Sequence, residues 1–143
     1  MAVESSASTV WKGDLAHGEG ITTPASGAFP PVEVTWASRT ERSAGKTSPE
    51  ELLAAAHASC YCMALSNELG GSGTAPESLE ATATVAFVPG EGVKSSHIVV
   101  RGHVPGIDQD AFTAAARAAG EGCPISGAMK GNVEITVEAT LES

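Results

Sequence analysis

The sequence predicts an α+β fold in a single domain, and three observations carry that prediction. Period-two alternation recurs in several short segments, two stretches carry helix start and stop signals, and no internal repeat relates them. At 143 residues the chain can bury one substantial core. The expected order is three strands, a helix, two strands, a second helix with a short one behind it, and a final strand.

Ser6 to Asp14, with Val10 and Trp11 as β-favouring bulk, reads as a first strand that turns near Gly13 and Asp14. Gly18 to Thr23 can pair with it, and Pro24, Ser26, Gly27 and Pro30-Pro31 then interrupt regular structure. Val32 to Arg39 alternates and completes an N-terminal meander. Ser48-Pro49-Glu50-Glu51 places a capping serine, a proline at the first helical position and a glutamate at the third. The helix it starts runs through alanine-rich sequence to about Leu69, where Gly70, Gly71 and Gly73 stop it. Apolar residues on nearly every side predict that this helix is largely buried and central.

Leu79 to Val88 and Val93 to Val104 flank the turn sequence Pro89-Gly90-Glu91-Gly92 and read as a β-hairpin. Asp108 caps a second helix from Gln109 to about Ala119, with Gly120 and Gly122 at its end. Pro124 starts a short helix to Lys130, and Asn132 to Leu141 is the last alternating strand.

Charge and composition narrow the function. Eight Lys plus Arg against seventeen Asp plus Glu give a net charge of −9, which opposes binding to phosphate backbones or anionic lipid surfaces. Neither a nucleic acid nor a membrane partner is expected. The N-terminal residues lack the basic and apolar regions of a secretory signal, no run approaches the ~20 apolar residues of a membrane helix, and a cytoplasmic location is expected. Three cysteines are too few and too irregular for the disulfide framework of a secreted domain, so each is a free thiol, a metal ligand or a catalytic group.

Cys60 falls in the middle of the buried helix, where an isolated cysteine is first of all a small hydrophobe. Cys123 falls at a helix start between Gly122 and Pro124, where unpaired amides favour a thiolate. Two thiols in such settings suggest a redox pair. Cys62 is turned about 200° from Cys60 on a helix and reads as a core spectator. His57 shares a face with Cys60, which fits a metal ligand, a thiolate-activating base or simply a packed histidine with one nitrogen satisfied. Arg39, Arg42 and Lys46 precede the helix, and a guanidinium could hold a thiolate and orient a peroxide oxygen. Glu50 could hold that arginine, or could serve only the helix start.

The run Thr47-Ser48-Pro49-Glu50-Glu51-Leu52-Leu53-Ala54-Ala55-Ala56-His57-Ala58-Ser59-Cys60, followed by Met63-Ala64-Leu65-Ser66, strongly resembles the osmotically inducible protein C family, the OsmC/Ohr hydroperoxide reductases. Gly122-Cys123-Pro124-Ile125-Ser126 is the second family element, and Val104-Pro105-Gly106-Ile107-Asp108 is closer to the OsmC branch. The resemblance spans essentially the whole chain. It implies an OsmC-like fold, with antiparallel sheets wrapped around two central helices in an intertwined homodimer. It also implies a cofactor-free thiol peroxidase in oxidative or osmotic stress defence. Cys60 would attack an organic hydroperoxide to give a sulfenic acid, Cys123 would close a disulfide with it, and a thiol or dithiol would reduce the disulfide.

By position, Glu50 matches the family's active-site glutamate. Arg39 matches its arginine, with Arg42 a second candidate because the stretch from Arg39 to Pro49 is about one residue longer than in the family pattern. The Tyr61-Cys62 pair departs from that pattern and raises the question of whether a second thiol modulates the cycle. Ten helical residues rise about 15 Å, so Glu50 and Cys60 of one chain cannot touch, and a shared site needs two chains. Phe29, Tyr61, Met63 and Met129 could line a pocket for an organic substrate, or only pack the core. Two other readings stand beside the peroxidase: a non-catalytic redox-sensing or small-ligand-binding dimer, and a metal module built on His57 and Cys60.

Overall fold

The computed structural model describes residues 1–42 and 45–142. Among these, the elements run β1 (Ala7–Lys12), β2 (Glu19–Pro24), β3 (Val32–Val34), α1 (Trp36–Thr40), α2 (Pro49–Gly71), β4 (Ser78–Val88), β5 (Gly92–His103), α3 (Gln109–Gly122), α4 (Pro124–Met129) and β6 (Glu134–Leu141). They fall into two compact units, Met1–Leu52 and Leu53–Ser143. No helix among the described residues is long and apolar enough to cross a membrane.

In the first unit β1, β2 and β3 form the expected antiparallel meander. Trp11 lies opposite Gly20, where an added Cβ would come within 2.8 Å of the indole and 3.0 Å of Val34. Glycine there lets the ring lie across the neighbouring strand. The third strand is shorter than its alternation predicts. It ends at Val34, and Arg39 stands on helix α1 instead of a strand. The cause is local: Thr35 and Ser38 form a reciprocal capping box, each side chain accepting the other's backbone N–H. Ser38 also donates to the Thr47 carbonyl at 2.7 Å, and Thr47 bridges to Val34, which brings the start of α2 beside α1. The stretch from Arg39 to Pro49, expected to be about one residue longer than in the family pattern, includes residues 43 and 44, which lie outside the described residues.

At the start of α2, Ser48 accepts the Glu51 N–H as predicted. The Glu51 carboxylate is engaged by the Thr47 hydroxyl.

The second unit is a three-stranded sheet, order β4-β5-β6, with helices packed on one face. The β4–β5 hairpin appears where the sequence places it. β6, however, joins β5 in parallel, because α3 and α4 supply the long crossover that a parallel neighbour requires. Gly102 of β5 lets Phe112 of α3 press directly on the strand, since a Cβ there would come within 2.7 Å of the ring. The core is Tyr61, Leu65 and Leu69 of α2, Ile98 and Val100 of β5, and Phe112, Ala116 and Ala119 of α3, together with Val104 and Cys123. α2 is not buried all round: His57, Tyr61, Leu65 and Leu69 form an inward stripe, while Ala55, Ser59, Met63 and Ser66 are exposed. α3 continues through Gly120 to Gly122, past the glycine expected to end it.

Candidate active site

Each unit brings together one predicted pair. In the first, Arg39 of α1 grips Glu50 of α2 through a two-pronged contact, Nε to Oε1 at 3.0 Å and Nη2 to Oε2 at 2.9 Å. Glu50 is buried, and the guanidinium lies 5.9 Å from the centre of the Trp36 ring. A planar guanidinium held on both prongs is a fixed positive charge in a known orientation. Arg39 is thus the guanidinium that Glu50 holds. Arg42 is exposed and adopts a left-handed backbone with φ of 68°.

In the second unit, Cys60 and Cys123 are neighbours whose side chains interact, and all three cysteines are free thiols. Cys123 is the single residue between α3 and α4, where it closes one helix and opens the next. Its N–H is spent on the Ala119 carbonyl. Burial works against its ionisation, but the Ser126 amide and hydroxyl, the Cys60 thiol and the Ile125 amide outweigh it, and Cys123 ionises below the ordinary thiol value. For Cys60 the balance runs the other way. Burial pushes its thiol up, the Ile125 amide opposes this, and the nearby Cys123 adds to the rise. Cys62 points elsewhere, toward the Ala81 backbone of β4, and burial raises it too.

Access separates the two interacting thiols. Cys60 is half-buried and lines an open cleft of about 400 Å³ with Met63, Ala64, Ala119 and Pro124, in which Glu68 is the charged member. Cys123 is 1% exposed. The cleft is mostly apolar and large enough for a small organic molecule. A larger one, about 550 Å³, lies around Arg117 and Lys130 and is lined by neither cysteine. Of the four residues considered as pocket lining, Met63 takes that role, whereas Tyr61 and Met129 are core. The Tyr61 hydroxyl donates to the Ala116 carbonyl at 2.8 Å, and burial above all raises the pKa of the phenol. Phe29, in the first unit, is exposed.

His57 is a packed histidine, but with both nitrogens engaged. Nδ1 lies 2.6 Å from Ser96 Oγ and Nε2 2.8 Å from Ser126 Oγ. Both ring nitrogens are therefore occupied by hydroxyls, and among the described residues no group of three or more His, Cys, Asp or Glu could hold a metal ion. Ser96 is the residue that sequence reasoning passed over. The inward positions of β5 run Ser96, Ile98, Val100, and one serine in an apolar row facing a helix with a histidine in its inward stripe marks a buried polar pair.

Comparison with known proteins identifies the family and the fold. Residues 42–138 match the family described as OsmC-like protein. The chain is 36% identical to peroxiredoxin OsmC of Escherichia coli K12, over the full length of both. The solved structure of an organic hydroperoxide resistance protein OsmC from Legionella pneumophila superposes with a TM-score of 0.71 at 22% identity, covering 98% of this chain and 99% of the other. OhrB of Bacillus subtilis gives 0.70 at 24% identity, covering 94% and 98%. At those identities the two structures speak for the α+β fold alone, whereas the family match and the full-length relative settle membership. The chain belongs to the OsmC family.

Proposed function

We propose that this protein is a cytoplasmic thiol peroxidase that reduces organic hydroperoxides to alcohols, in defence against oxidative or osmotic stress, with Cys60 as the attacking thiolate and Cys123 as its resolving partner. The observation that carries the reading is the pairing of a thiol that lines an open cleft with a buried neighbouring one. The Cys60 sulfur attacks the terminal peroxide oxygen, the O–O bond breaks, and the alkoxide leaves with a proton as the alcohol. Cys60 is left as a sulfenic acid, which the Cys123 thiolate converts to a disulfide with loss of water. A thiol or dithiol returns both to the starting state. The relatives' names, peroxiredoxin OsmC and organic hydroperoxide resistance protein, support this class of reaction.

Cys60 within one chain is harder to ionise than an ordinary thiol, so the reading needs a cation near it. Arg39, aligned by Glu50, is the residue for that role. Glu50 and Cys60 are ten residues apart on one unbroken helix, a rise of about 15 Å, which favours delivery of the arginine by a second copy. The exposed face of the alanine-rich α2 is a surface such a homodimer could cover.

The acidity of Cys123 favours a second assignment, with the roles of the two thiols exchanged. Burial argues against it, since a peroxide must reach the sulfur it oxidises. Treatment with one equivalent of cumene hydroperoxide, followed by peptide mass mapping, tests both. A Cys60–Cys123 disulfide is expected in the unsubstituted protein and a dimedone-trapped sulfenate on Cys60 in Cys123→Ser. A sulfenate on Cys123 in Cys60→Ser would exchange the roles. A single oxidation without turnover under excess dithiol would identify a redox-sensing dimer instead.

A further inference from the structure

One unpaired charge stands in the cleft that reaches Cys60. The cleft residues from α2 are Cys60, Met63, Ala64, Asn67 and Glu68. They fall at i, i+3, i+4, i+7 and i+8, so they form one face of the helix. The facing wall is the end of α3, where Ala118, Ala119 and Gly122 are all small. A Cβ at Gly122 would meet no atom within 4 Å, so the space beside that wall is open. The result is a trough of about 400 Å³ along α2, in which Cys60 and Glu68 are separated by a rise of about 12 Å. A molecule that reacts at the Cys60 sulfur and lies in the trough extends over Ala64 toward Glu68.

Nothing in the trough balances that carboxylate. Among the described residues no cation or hydrogen-bond donor engages the Glu68 side chain, and the residue's further bond is from its backbone carbonyl to the Ser72 hydroxyl. No lysine, arginine or histidine lines the cleft. The chain's net charge of −9 has the same sign. Arg39, the cation that the peroxidase reading brings to Cys60, arrives with its charge already balanced by Glu50.

We propose that Glu68 sets the charge selectivity of the Cys60 site, which admits uncharged organic hydroperoxides and disfavours those that carry a carboxylate, free fatty-acid hydroperoxides among them. The proposal rests on the peroxidase reading and deepens it. Its physical basis is repulsion inside the trough. A carboxylate carried on the body of the substrate comes within a few ångströms of Glu68, and like charges that close in a water-facing site cost about five-fold in rate at low salt. An uncharged substrate of the same shape meets no such barrier, and the apolar surface of Met63 and Ala64 remains available to it.

The test uses pairs of reagents that differ in one charge. Cumene hydroperoxide bearing a para-carboxylate is compared with its methyl ester by kcat/KM under excess dithiol at low ionic strength. Without any peroxide, Cys60 is alkylated by 6-maleimidohexanoic acid or by its amide, and the product is quantified by peptide mass mapping. Glu68→Gln is expected to raise the ratio of the acid's rate to that of its neutral partner about five-fold in both assays, and Glu68→Lys to raise it further. The ester's own kcat/KM should stay within about two-fold. Salt at about 0.5 M should move the unsubstituted protein toward the Glu68→Gln ratio, because screening removes the same repulsion. Glu80→Gln deletes an equal charge on the outward side of β4 and should leave the ratio unchanged. Ratios unaltered in both Glu68 variants overturn the proposal. So does an equal shift in Glu80→Gln, which would assign the effect to net charge. If neither hydroperoxide is turned over, the peroxidase reading falls, while the maleimide ratios still decide whether Glu68 selects by charge at Cys60.

Discussion

The two units of this chain treat polar and apolar groups in opposite ways. Residues 1–52 leave β1 exposed along its whole length and bury a charged group, Glu50, under a two-pronged guanidinium. Residues 53–143 bury the apolar face of β5 and hold two thiols and a histidine bonded to two serines against it. A charge can be buried where its partner is fixed, and a thiol can be tuned by amides and hydroxyls alone. The contrast teaches that the first unit supplies a fixed cation and the second a pair of thiols of unequal acidity.

The largest expected effect is on the thiols. Cys60→Ser should abolish hydroperoxide turnover measured with excess dithiol, and Cys123→Ser should abolish sustained turnover while leaving one oxidation per chain. Next comes the fixed cation. Arg39→Lys keeps the charge but loses the fork, and kcat/KM for an organic hydroperoxide should fall by about ten- to a hundred-fold in steady-state assays, the loss of roughly 1.4–2.7 kcal/mol of transition-state stabilisation.

Stability probes the comparison directly. Phe112→Ala in the second unit should cost about 3–5 kcal/mol by urea denaturation, whereas Val10→Ala on exposed β1 should cost within about 0.5 kcal/mol. A larger loss at Val10, growing on dilution, would instead show that a second copy covers that sheet.

The smallest effect is a pH slope. Burial holds His57 below its ordinary 6.5, so in acid the unfolded chain takes up a proton that the folded chain does not. Stability from this source is present above about pH 6.5 and is lost as pH falls below it. Denaturation midpoints across that range should show the slope, and His57→Gln should flatten it.

Much of this was legible in the sequence because the signals are local. Ser48-Pro49 and Asp108 mark their helix starts through side-chain geometry within one turn, and the β4–β5 hairpin follows from alternation around a glycine turn. The third strand was misread for the same reason. Alternation in Val32 to Arg39 competes with a capping box at Thr35 and Ser38, and the box prevails after Val34. The all-round apolar α2 suggested that most of it is buried, but a single chain supplies neighbours for one stripe only.

The sequence by itself determined most of the elements and the OsmC family, and it singled out Cys60, Cys123 and Glu50, with Arg39 or Arg42 as the arginine, as the residues on which the proposed chemistry rests. Each is marked by chain neighbours, and local chemistry is written in local order. Tertiary structure decided which thiol is accessible, that Arg39 is the cation held by Glu50, and that His57 joins Ser96 and Ser126. His57 lies 39 residues from Ser96 and 69 from Ser126. Contacts at such separation depend on how strand, helix and crossover pack, and no spacing rule along the chain encodes them.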